Sequence, residues 1–233
     1  MRKIWRYGQR NFSRFFIEIL IIMVGILLSL AFSSWLENRK DRKEERVALE
    51  QIKENLLIDL VQLENNLDLR QKQLAFSQQM LGQISNDTLR VDPATFVQGM
   101  RYLAITVSFS PNTVTFETLK STGQLDLIED KTILEALVSL YQLNYGDLAL
   151  NNNDMASFRE RYILPFILEN FDLQKSMGGT LSTQDFQPIM ESRSFINLLT
   201  YVQISGSSSL QAYEKAIEQA QTLLELLSEK EED

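Results

Sequence analysis

The sequence has no cysteine and no histidine, and its 233 residues include only 9 glycines and 4 prolines. Without cysteine there is no disulfide framework, no thiolate nucleophile and no cysteine-ligated zinc or iron–sulfur cluster. Without histidine the usual general base is missing, as are the commonest metal ligand and every Ser-His-Asp arrangement. The scarcity of Gly and Pro argues against an all-β chain, which needs many turns. Positive charge is in the minority, with Lys+Arg 23 against Asp+Glu 31 and a formal net charge of -8. Such a chain is a poor match for polyanionic nucleic acid. No Gly-rich phosphate loop, acidic calcium loop or metal-spaced cluster occurs. These absences predict a protein that is not an enzyme, has no catalytic residues, holds no metal or cofactor and has no nucleic-acid partner.

What is present begins with a long apolar run. Phe15 to Leu36 reads FFIEILIIMVGILLSLAFSSWL, and Glu18 is its only charge. As a helix it would cover about 33 Å, against a hydrocarbon core of roughly 30 Å. Residues 19–28 carry no polar face, unlike a buried helix of a soluble protein. Arg2, Lys3, Arg6, Arg10 and Arg14 precede it, and Arg39, Lys40, Arg42, Lys43 and Arg46 follow. Trp35 suits one membrane interface, and Trp5, Tyr7 and Phe12 the other. The basic counts tie. The tail has no acid before Glu18, whereas Glu37, Asp41, Glu44 and Glu45 lace the other flank. That favours the N-terminus inside and the bulk outside a membrane crossed once, which in a bacterium would be a cytoplasmic N-terminus and a periplasmic bulk at the inner membrane. The competing reading is a cleaved signal peptide, with Ala31-Phe32-Ser33 as a loose cleavage site. The length of the run, continued by Trp35-Leu36, favours an uncleaved anchor.

Glu18, Gly25, Ser29 and Ser33 fall within roughly 80° of one another at 100° per residue. A small-xxx-small seam lets helices approach closely in lipid, and an acid on the same stripe faces a partner helix. The plain alternative is that Glu18 reaches the headgroups and Gly25 is merely tolerated.

No Gly or Pro occurs between Gly25 and Gly82, so the helix is expected to continue as a stalk over residues 37–85. Leu49, Ile52, Leu56, Leu60, Leu63, Leu67, Arg70, Leu74, Ser77, Leu81 and Ile84 step by threes and fours, with Arg70 and Ser77 as the polar exceptions. The charged stretch 37–50 reads as a solvated helix held by i,i+4 pairs. A break follows over 85–92. Asp92-Pro93 starts a short helix to about Thr106. An extended stretch through Ser110-Pro111 leads to a second short helix, 113–122, closed by Gly123. From Asp130 one broad helical face runs to Phe166, kinked or ended by Pro165. Residues 171–187 read as loop. A last helix, about 191–229, has a coiled-coil-like seam of Tyr213, Ile217, Ala220, Leu224 and Leu227 and a weak point at 205–209. The final residues 231–233 read as a frayed tail. The expected architecture is all-α. It has a basic tail (1–14), a transmembrane helix (15–36) continuous with the stalk (37–85), and the rest of an antiparallel bundle (86–230) outside the membrane, its short helices at the far end.

Glu18-Ile-Leu-Ile-Ile-Met-Val-Gly-Ile-Leu-Leu-Ser-Leu-Ala-Phe-Ser-Ser-Trp35, followed by Glu37-Asn38-Arg39-Lys40, resembles the start of an uncharacterised family of bacterial single-pass membrane proteins found chiefly in Bacteroidota. A second match runs from Ser110-Pro111-Asn112 to Phe116-Glu117-Thr118-Leu119-Lys120-Ser121-Thr122-Gly123-Gln124-Leu125-Asp126-Leu127-Ile128. It is similar to the family's S-P-N…Y-E-x-L-K-S-S-G-x-L-x-L-I segment. Ser33-Ser34 stand where the family has Asn, and Phe116 where Tyr is common. The resemblance implies an anchor followed by helices and carries no chemistry.

The segment around Glu117, Lys120, Thr122 and Gly123 is the candidate recognition surface. The two charges sit one turn apart, and Thr122-Gly123 offers backbone amides to a small polar pocket at the membrane-distal tip. Its plain alternative is an exposed ion pair beside a helix cap. Glu129-Asp130 is explained by Asp130 as a helix cap, and Tyr141, Tyr145 and Tyr162 as core and boundary aromatics. The expected function is a membrane-anchored helical protein acting through contacts with the lipid bilayer and with itself or another membrane protein. The alternative is a helical ligand sensor that passes a signal through its membrane helix to a partner.

Overall fold

The computed structural model describes residues 15–86, 91–176, 178–179 and 181–230. The interfacial aromatics and cations placed in 1–14, the middle of the 85–92 break and the tail 231–233 lie outside the described residues. Every regular element among them is helical, and the chain divides into two compact units, Met1–Glu50 and Gln51–Asp233.

One helix, α1 (Arg2–Ser85), begins in the first unit and ends in the second. In the first unit, residues 15–40 are all exposed. The apolar part has mean hydropathy 2.7 over its best window, with none of that window buried, so it is long and apolar enough to cross a membrane. Phe32 stacks on Trp35, and the Arg39 guanidinium lies 5.5 Å from the Trp35 ring centre. The charged stretch is laced along the helix as its spacing predicts, by Lys40–Glu44 at 3.5 Å and Arg42–Glu45 at 2.6 Å.

The second unit is a set of antiparallel passes. Asp92 caps α2 (Pro93–Ala104) by accepting from the Thr95 N–H, with proline at the helix start where its missing N–H costs nothing. From there the chain runs back along α1. Phe96 meets Phe76, the Tyr102 carbonyl accepts from Gln73, and the Ser108 carbonyl accepts from Asn66. Farther along, Asn112 meets Asp59, and Thr115 in α3 (Val114–Ser121) accepts from Asn55. The chain then turns again through α4 (Lys131–Val138), α5 (Tyr145–Phe158) and α6 (Leu164–Asn170). Tyr145 reaches Asp59 and Asn152 reaches Arg70, so this pass is parallel to α1. Two short helices, α7 (Leu173–Met177) and α8 (Thr183–Met190), lead into α9 (Arg193–Glu232). Tyr201 stacks on Phe158, Ser208 meets Asn151 and Tyr213 meets Asn152, so α9 runs back the other way.

Several expectations change. Of the two short helices expected at the far end, only α2 lies where α1 ends, together with Phe166, Phe186 and Phe195 from later in the chain. The extended stretch 105–113 carries the chain past Asn66 and Asp59, so α3 sits at the end of this unit where Asn55 lies rather than at the far tip. The helix through Pro165 is not ended. A wide turn over Arg159–Ile163 lets the Leu164 N–H reach the carbonyl five residues back. That turn relieves the clash a proline ring makes with the preceding turn. Residues 171–187, expected as loop, contain α7 and most of α8. Asp172 caps the first by accepting from the Lys175 N–H. Ser182 and Asp185 form a reciprocal capping box at the second, and the Ser182 donors hold the Asp185 carboxyl down at about 2. The buried seam of α9 is Tyr213, Ala216, Ala220, Leu223 and Leu227, not the set containing Ile217 and Leu224. Residues 205–209, the expected weak point, lie within the continuous helix α9. Gly206 and Ser209 are buried, with the Leu74 side chain 3.7 Å from where a Gly206 Cβ would stand, so this part of α9 packs against α1.

Candidate functional site

The inward face of α1 in the second unit is not uniformly apolar. Ile52, Leu56, Leu63 and Met80 share it with Asp59, Arg70, Gln73 and Ser77, all buried. Around these four the neighbouring elements supply polar partners, giving a buried polar seam between apolar ends. One end holds Phe116 stacked on Tyr141 at 4.7 Å. The other is an aromatic cluster centred on Phe96, which lies 4.3 Å from Phe186 and 5.9 Å from Phe195.

Asp59 is only 1% exposed. Its Oδ1 accepts from the Asn112 N–H at 3.0 Å and from Asn112 Nδ2 at 2.7 Å, and its Oδ2 accepts from the Tyr145 hydroxyl at 3.3 Å. Burial raises the carboxyl above its ordinary value, against these donors, which favour the charged form. Burial, aided by the Asp59 charge, pushes both Tyr145 and Tyr141 up, so neither phenol is an acid at neutral pH. The carboxylate therefore clamps the extended stretch 105–113 to α1 and to α5, with no nucleophile in its reach. Tyr141 and Tyr145 are core aromatics, as expected from the sequence.

Arg70 is 3% exposed. One terminal nitrogen donates to Gln73 Oε1 at 2.8 Å and the other to Asn152 Oδ1 at 3.4 Å. Gln73 in turn donates to the Tyr102 carbonyl at 2.7 Å, and Asn152 exchanges hydrogen bonds with the Tyr213 hydroxyl. All of these partners are neutral. Arg70 makes no ion pair among the described residues, and its Nε is buried without a partner. Burial lowers its pKa, and the Tyr213 phenol offsets this only in part.

Clefts in this unit are of two kinds. An apolar one of about 220 Å³ is lined by Val97, Met100, Ile167, Phe171 and Leu173, with Arg101 at its wall. A polar one of about 280 Å³ is lined by Asn144, Asp147, Asn151, Ser208 and Lys215. Among the described residues there is no group of three or more acids placed to hold a metal ion.

The residues singled out from the sequence fall as follows. Glu18, Gly25, Ser29 and Ser33 are all exposed on α1, and nothing lies within 4 Å of a Cβ built on Gly25. Glu117 and Lys120 do meet, at 3.7 Å on the exposed side of α3. The amides of Thr122 and Gly123 are not available to a ligand. They donate to the carbonyls of Thr118 and Lys120, and the Gln124 N–H closes back on Leu119. Gly123 has φ of 69°, the left-handed residue that such a helix end requires. Asp130 caps α4 through the N–H groups of Thr132 and Ile133, which lower its pKa. The seam itself is not evident from the sequence alone. Arg70 and Ser77 were its visible signal, as the two polar steps in an apolar stripe. Asp59 hides behind Leu60, because a one-residue difference in phase is unreadable along a helix with apolar Ile58 and Leu60 on either side.

One protein-family model, described as "Family of unknown function (DUF6090)", matches residues 18–207. No curated protein and no solved structure matches the chain.

Proposed function

The chain belongs to that family of unknown function, the match covering well over half of its length, and from this premise we propose that it is a membrane-anchored helical protein working through protein–protein contacts rather than catalysis. The observation that carries this reading is the uncovered apolar stretch of α1. Phe15 through Leu36 presents a row of large, exposed apolar side chains. Each costs about 1.5–3 kcal/mol when left in water. Lipid on most of the circumference, and a second helix against the stripe of Glu18, Gly25, Ser29 and Ser33, would remove that cost. In this reading the N-terminus is cytoplasmic and the second unit is in the periplasm of a bacterium. The partner is another copy or an accessory membrane protein.

Full-length protein in native membranes tests it in two measurements. Intact mass is expected to show residues 1–36 retained; their loss would make the run a signal peptide. Crosslinking across the membrane is expected to trap a complex, and Gly25→Leu is expected to reduce its yield several-fold, since close approach in lipid needs a small residue there. A strict monomer without a co-purifying partner would end the reading.

The apolar cleft favours a second one, a sensor. Val97, Met100, Ile167, Phe171 and Leu173 with Arg101 alongside suit an aliphatic chain ending in a carboxylate. Decanoate is then expected to raise the melting temperature of the nanodisc-embedded protein, an effect removed by Val97→Trp. No shift with decanoate would dismiss the sensor.

A further inference from the structure

Arg70 presents a problem that its own neighbours do not solve. A guanidinium carries its charge at any physiological pH. Here it is buried, with only amide and phenol groups around it, and one N–H group has no acceptor. A buried cation without a counter-charge is among the costliest things a fold can hold. A small cavity of about 10 Å³ opens beside it, lined by Arg70, Gln73, Arg159, Leu103, Met155 and Val202. Its second cation, Arg159, is half-buried and is tethered by Nε donating to the Ala104 carbonyl at 2.5 Å. No acid lines the cavity. Exposed Ile105 and Thr106 also border it, which leaves a route to solvent.

We propose that this cavity is a halide site, occupied by a single chloride ion between the guanidinium groups of Arg70 and Arg159. Its size selects the ligand. The space beside Arg70 is about that of one water, which suits a single monatomic ion better than phosphate or sulfate. The charge selects an anion over water, because water leaves the buried cation uncompensated. The apolar walls of Leu103, Met155 and Val202 suit a weakly hydrated monatomic ion. The ion would tie α1 to the wide turn that follows α5, at the level where Gln73 already binds the end of α2, so it would act as a structural counter-ion of the bundle. This proposal stands independently of membrane anchoring.

Thermal unfolding of the full-length protein in detergent tests it, with sodium chloride or bromide compared with sodium gluconate at equal ionic strength. A saturable rise of about 3–5 °C with either halide is expected at concentrations near ten times the dissociation constant. The rise is expected to vanish in Arg70→Met and to weaken in Arg159→Gln. No halide-specific rise in the native protein, or a rise unchanged in Arg70→Met, overturns the proposal. Should Arg70→Met fail to fold, crystals of the native protein grown in bromide decide. An anomalous peak within hydrogen-bonding distance of Arg70 supports the site, and its absence there overturns it.

Discussion

Replacing Gly99 by alanine is expected to destabilise the second unit by about 2–3 kcal/mol, the cost of overpacking a filled core. For a chain of this size that lowers the melting temperature by about 5–10 °C. A Cβ built on Gly99 would stand 2.0 Å from two carbons of the Phe76 ring, which α1 lays directly across α2. The ring has nowhere to go. Phe76 is 5% exposed and its edge faces Phe96, itself held by Phe171, Phe186 and Phe195. The prediction runs against helix propensity, by which alanine in mid-helix gains about 1 kcal/mol over glycine. Denaturant melts therefore discriminate cleanly, since a neutral or stabilised Gly99→Ala would mean that α2 does not pack this closely. The double variant Gly99→Ala/Phe76→Leu is expected to recover part of the loss, because the smaller side chain vacates the place the new methyl needs. Additive losses in the pair would contradict the contact.

Asp59→Ala should cost about 2–3 kcal/mol, because it strips a buried charged acceptor from Asn112 and Tyr145 and leaves the Tyr145 hydroxyl without a partner. Asp59→Asn, which keeps the shape and one acceptor oxygen, should cost much less. Their pH dependence follows from the raised carboxyl. In the folded protein Asp59 holds its proton more tightly than in the unfolded chain, whose value is near 3.8. The native state thus binds more protons than the unfolded state between that value and the raised one. Stability from this group is present at low pH and is lost as pH climbs through that window. Asp59→Asn has no such proton. The melting temperature of the native sequence minus that of Asp59→Asn should therefore fall with rising pH just above 3.8 and level off beyond. A difference that grows with pH there would mean that hydrogen bonding outweighs burial at this carboxylate.

Much of the candidate seam was out of reach of pattern reading for a definable reason. Asn112, Tyr145 and Asp59 are far apart in the chain, and each alone has an ordinary explanation as a turn, core or surface residue. Their meeting depends on the extended stretch 105–113 lying back along α1. The α9 seam illustrates the same limit within one helix. Ala216 and Leu223 are buried where Ile217 and Leu224 looked equally apolar, because rotation of the helix by one residue is set by its neighbours. The capping box at Ser182 and Asp185 is different. Its Ser-x-x-Asp spacing is local and legible in the sequence, and only the Gly178-Gly179 pair beside it points to loop.

The all-α class, the apolar stretch at 15–36, the helix running on to Ser85 and the caps at Asp92, Gly123 and Asp130 all follow from the residues read in order. They are local matters: the period of apolar positions, the absence of Gly and Pro, and a side chain that satisfies a helix end within three residues. The folded arrangement alone placed α3 beside Asn55, carried the helix through Pro165, and put Arg70 in the interior without an acid. Those outcomes turn on which distant side chains fill the same volume, and competition for space between segments far apart in the chain leaves no periodic trace.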